Sequence, residues 1–99
     1  MNIGKAIKDL RIEKKLNQTE FANKCGITQT TLSQIETGNK TPNSGTLKRI
    51  SSFLQIPETV IYLLATDESD IPDSKKKMFQ TLFPGIKTLL LDLLTSTTV

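Results

Sequence analysis

Residue types that carry covalent chemistry are scarce in this chain. It has no histidine and a single cysteine, Cys25. Neither a disulfide framework nor an ordinary zinc site can be built from one chain of that composition. No nucleophile stands beside a base, so the expectation is a protein that is not an enzyme and takes no metal and no cofactor. The polar residues that do gather are Gln29, Thr30, Ser33 and Gln34. They form the outward face of one short helix, all uncharged and all able to form hydrogen bonds. A face that is merely soluble is usually filled with Lys and Glu. Their absence from Gln29 to Gln34 favours a surface that reads donors and acceptors on a partner.

Charge is uneven along the 99 residues. Up to Leu64 there are nine Lys/Arg against five Asp/Glu, 9 − 5 = +4, and from Ala65 onward four against five, 4 − 5 = −1, which together make the net +3. A basic front half is where phosphates could be engaged, although a solvated basic surface explains charge alone equally well. Lys5, Lys8 and Asp9 interrupt the opening turns, so no signal peptide is read there. The longest apolar run, Leu89-Leu90-Leu91, is far too short for a membrane span. A soluble, cytoplasmic protein with no membrane contact is expected.

Five short helices position the polar face. Ile3, Ala6, Ile7 and Leu10 recur at helical spacing after Asn2, a capping residue. Asn17-Gln18-Thr19-Glu20 has capping-box spacing, so a second helix starts at Gln18 and buries Phe21, Ala22 and Cys25. Glu20 is thus a cap rather than a catalytic acid. Gly26 ends that helix, and Thr28 caps a third only two residues later. Helices so close must cross steeply, which is the helix-turn-helix pattern. The third helix turns Leu32, Ile35 and Glu36 inward and stops at Gly38. Asn43 or Ser44 caps a fourth carrying Leu47, Ile50, Ser51 and Leu54. Pro57 opens a fifth, in which Val60, Ile61, Leu63 and Leu64 are expected to close the core. No strand-like alternation appears. The fold class is all-α.

Taken in order, IGKAIKDLR, LNQTEFANKCGITQTTLSQIETG and the P-x-x-x-T-L-K-R-I stretch from Pro42 resemble the Cro/C1-type helix-turn-helix domain of phage repressors and xenobiotic-response-element regulators. The likeness covers Ile3 to Leu64. It implies a five-helix, lambda-repressor-like DNA-binding domain over residues 1–65. It also implies a sequence-specific regulator of transcription, most simply a repressor that binds a palindromic operator in double-stranded DNA as a homodimer. By the resemblance, the third helix lies in the major groove, with Gln29, Thr30 and Gln34, and Ser33 beside them, toward base edges. A Gln amide can bond adenine N6 and N7 together, and the Thr30 methyl could meet that of thymine. Gln18 looks like a phosphate clamp at a helix N-terminus. Asn17, Thr37, Lys40, Thr41 and Asn43 fall where relatives grip the backbone. Arg11 and Glu36 match an ion pair that fixes the recognition helix to the scaffold, and Cys25 falls at an apolar core position.

Beyond the front half, residues 66–73 read as an acidic, Pro-containing linker, and 74–99 as a helical segment. Phe79, Leu82, Ile86, Leu89 and Leu93 step by three and four in a heptad-like seam, and Phe83, Leu90 and Leu94 widen the stripe. Pro84-Gly85 predicts a kink or a break into two helices. So much apolar surface needs a cover. One cover is the fifth helix of the same chain; the other, taken here as the expectation, is a dimer seam with a second chain. The rival reading is that the segment seats a protein partner, as in the antitoxin of a toxin–antitoxin pair. An interaction module that has lost DNA binding is the remaining reading; reversed charges on the third helix would favour it, and none is present.

Overall fold

In the computed structural model, which describes residues 1–95, each of the first four helices starts on the polar residue placed just before it. Asn2 caps α1 (Ile3–Glu13), its side chain accepting from the Lys5 N–H at 3.0 Å. Asn17 caps α2 (Gln18–Cys25) with both halves of the capping box made. The Glu20 N–H donates to Asn17 Oδ1 at 2.8 Å, and the Asn17 N–H to Glu20 Oε1 at 3.0 Å. Thr28 caps α3 (Gln29–Glu36), and Asn43, rather than Ser44, caps α4 (Ser44–Leu54). Each cap satisfies an N–H that lacks a partner within its helix. Pro57, with its preset φ, precedes α5 (Glu58–Ala65). Among the described residues there is no strand.

The core draws on every one of these helices. Ile7 and Leu10 of α1, Phe21 of α2, Leu32 and Ile35 of α3, Ile50 of α4 and Ile61 of α5 are fully buried. Phe21 meets Phe53 edge to face at 5.6 Å between ring centroids, a favoured aromatic geometry. Two features escaped the sequence pattern. Leu63, expected in the core, is exposed: Ile61, Leu64 and Ala65 are the inward face of α5, and Leu63 lies opposite them. Gly4 is needed because α1 crosses α3 so closely that a Cβ there would run into the backbone carbonyl oxygen of Ile35.

The connector after α5 holds two short 3-10 turns, Glu68–Asp70 and Asp73–Lys75. It leads into α6 (Lys76–Thr95), a single helix running through Pro84. The break expected at Pro84-Gly85 does not occur. Proline removes one hydrogen bond from the ladder and crowds the carbonyl four residues back, a cost of about 3 kcal/mol. Gln80, Pro84 and Gly85 are all exposed, so water can replace the lost bond, and packing of Leu90, Leu91 and Leu94 against the core holds the second half of the helix. The second half of α6 lies back on its own chain. Leu94 is buried in the common core, Leu90 and Leu91 pack against that core, and Lys87 Nζ reaches Asp9 of α1 at 3.3 Å. Leu90, which widens the expected dimer seam, is therefore partly engaged within its own protomer.

Candidate nucleic-acid interface

The turn between α2 and α3 is tight because Gly26 takes the left-handed conformation, φ 72°. Arg49 of α4 braces it by donating from Nη1 to the Gly26 carbonyl at 2.9 Å. Nothing in the local sequence pattern pointed to Arg49, since its partner lies 23 residues away. With the turn held, α3 presents Gln29, Thr30 and Gln34 exposed on one side, with Ser33 half-buried beside them. Leu32 and Ile35 anchor the other side in the core. The exposed groups include amide donors, amide acceptors and a hydroxyl, which is the chemistry that can match the edges of base pairs.

Behind this face runs a continuous chain of hydrogen bonds. Arg11 of α1 holds the Glu36 carboxylate with two donors, Nε to Oε2 at 2.7 Å and Nη2 to Oε1 at 3.0 Å, and its Nη1 donates to the Leu16 carbonyl at 2.9 Å. The side chains are only 12% and 2% exposed, so the charges are withdrawn from water as a pair. Gln18 Nε2 donates to Glu36 Oε1 at 3.1 Å, and Gln29 Nε2 donates to Gln18 Oε1 at 2.8 Å. A carboxylate can only accept, so Gln18 must turn its nitrogen toward Glu36 and its oxygen toward Gln29. Gln29 in turn must donate, which leaves its amide oxygen and a second N–H for a partner. The amide orientation at the solvent face is thus dictated from a nearly buried charge.

The positions matched to backbone contacts lie around this face in different states. Asn17, Lys40, Thr41 and Asn43 are exposed, and Gln18 is half-buried. Asn17 and Asn43 use their side-chain oxygens as helix caps and keep their NH2 groups on the surface. Thr37 is exposed, but its hydroxyl donates back to the Ser33 and Gln34 carbonyls of α3 at 3.0 and 3.2 Å. Lys40 and Arg49 line one shallow depression with Thr28 and Thr31, which places two positive charges beside the start of α3. Cys25 is buried, and burial pushes its thiol up to about 11. Among the described residues no group of acidic, histidine or cysteine side chains could hold a metal ion, and no helix is long and apolar enough to cross a membrane.

Residues 7–61 match the family described as Helix-turn-helix. The chain is 42% identical over 59 residues to the ImmF control region 10 kDa protein of Bacillus phage phi105, covering 60% of this chain and 66% of that protein. It is 33% identical over 79 residues to the cryptic phage CTXphi transcriptional repressor RstR of Vibrio cholerae, covering 77% of this chain and 69% of that one. The chain thus matches about two thirds of the length of these relatives. No solved structure matches it significantly. With more than half of its length inside the family and its helices in the all-α arrangement of lambda-repressor-like domains, this chain belongs to the Cro/C1-type helix-turn-helix family and is a non-enzymatic, DNA-binding regulator of transcription.

Proposed function

We propose that this protein represses transcription in the cytoplasm by occupying a palindromic operator as a homodimer. The observation that carries the reading is the exposed Gln29–Gln34 face of α3, with the Gln29 amide oriented through Gln18 by Glu36. Gln29, Thr30, Ser33 and Gln34 meet base edges in the major groove. Asn17, Gln18, Thr37, Lys40, Thr41 and Asn43 hold the phosphates on either side. Residues 1–65 do the binding, 66–73 connect, and 74–99 assemble two copies or seat a protein partner. One relative is named a transcriptional repressor, which favours repression over activation.

Binding of the full chain to an inverted repeat near its own gene, followed as a function of salt, tests the reading. Neutralised phosphates release counterions, so affinity should fall steeply as salt rises. Lys40→Ala should weaken binding to all sequences alike and flatten the log–log salt slope by roughly one. Binding to duplex DNA that ignores salt would defeat the proposal.

A further inference from the structure

One part of the apolar surface of α6 is turned into its own domain and another is left outside. At 100° per residue, Met78, Leu82, Ile86, Leu89 and Leu93 fall within an arc of about 80°. They are 65, 55, 45, 69 and 60% exposed, respectively. The adjoining arc carries Lys87, Leu90 and Leu94, the side that faces α1 and the core. So regular an exposed stripe on a helix already fastened to its domain has the three-and-four spacing of a helix–helix seam. The first half of the stripe, Met78, Leu82 and Ile86, shares an apolar groove with Ile71, Pro72, Phe79 and Phe83, the two rings stacked at 4.5 Å.

From this geometry we infer that the exposed stripe of α6 seats the same stripe of a second copy of this chain, with the two helices antiparallel about a two-fold axis at Gly85–Ile86. The inference rests on the homodimer reading and assigns the dimer its surface and direction. Three observations select the second copy and the direction. The stripe is symmetric about its own middle, since Met78 and Leu93, Leu82 and Leu89, and Gly85 and Ile86 are each equidistant from one point. An interface between identical copies needs that self-complementarity. Gly85 at the centre faces open space, with nothing within 4 Å of where a Cβ would stand, so two backbones can approach there. The charges are also polarised along the helix. Lys75, Lys76 and Lys77 sit at its start, with Lys76 held by Asp73 at 2.9 Å, while Asp92 is exposed near its end. Parallel pairing would bring the two lysine-bearing ends together. Antiparallel pairing sets each lysine-bearing end near the partner's end that carries Asp92 and the negative end of its helix dipole.

Introduced cysteines test direction, because the native Cys25 is buried. Under mild oxidation the Gly85→Cys chain should cross-link to itself and the Leu93→Cys chain should not. A mixture of Met78→Cys and Leu93→Cys chains should cross-link one to the other. Self-linking of Leu93→Cys would make the helices parallel and overturn the inference. Sedimentation tests the surface. The Leu82→Glu, Leu89→Glu double variant alters only exposed side chains and should run as a folded monomer at concentrations where the native chain is a dimer. If the variant stays dimeric, the stripe is not the interface, while the homodimer reading stands. If the native chain itself is monomeric at operator-saturating concentrations, the homodimer reading falls and the inference with it.

Discussion

Gln18 donates to Glu36 across 3.1 Å, and that bond decides which way an amide on the second helix points. Replacing Gln18 by Met keeps the side chain's bulk and leaves the Arg11–Glu36 pair intact. The Gln29 amide can then turn over. Gln18→Met should therefore reduce discrimination between the best and next-best base where Gln29 reads, while the thermal midpoint changes by only a few degrees. Competition binding with single-base operator variants measures the ratio, and an unchanged ratio rejects the orienting role. Glu36→Ala instead leaves Arg11 without its carboxylate in a largely buried site, and should lose about 3–5 kcal/mol in urea unfolding.

Gln29→Ala and Gln34→Ala should each weaken operator binding by roughly 1–3 kcal/mol and leave non-specific binding nearly intact. Both side chains are exposed, so stability should hardly move. Equal losses on operator and random DNA would reassign this face from base reading to phosphate contact.

Gly4→Ala should destabilise the fold although alanine is the better helix former. Its Cβ would meet the Ile35 carbonyl oxygen, which belongs to backbone and cannot swing aside. Overpacking of this kind costs about 1–3 kcal/mol. Because α3 must shift to relieve it, operator affinity should fall together with the urea midpoint. A variant as stable as the native chain would show that the two helices separate more easily than their packing implies.

Burial raises the Cys25 thiol from 9.0 to about 11. Between those values the unfolded chain releases the proton while the folded chain keeps it, so stability should decline as pH rises from about 9 to 11. Cys25→Ala should remove that component of the decline, visible as a flatter plot of unfolding free energy against pH. The same burial should make the native thiol slow to alkylate at pH 8. Rapid labelling of the folded protein would contradict its place in the core.

The starts of the helices were legible in the sequence, and for a local reason. A cap at Asn2, Asn17, Thr28 or Asn43 acts on an N–H three residues away, so its geometry is complete within one turn. The family's ordered motifs made the Arg11–Glu36 pair legible as well, though the residues stand 25 apart. Tertiary structure alone decided how that pair extends to Gln18 and Gln29, why position 4 must lack a side chain, and that Arg49 braces the turn at Gly26. It also decided that α6 passes through Pro84, and which arc of that helix is covered by its own chain. Periodicity marks an apolar stripe without saying what lies against it. Leu90 and Leu93 are equally apolar and three residues apart, yet only the placement of α1 and α5 separates the one that packs inward from the one that stays outside.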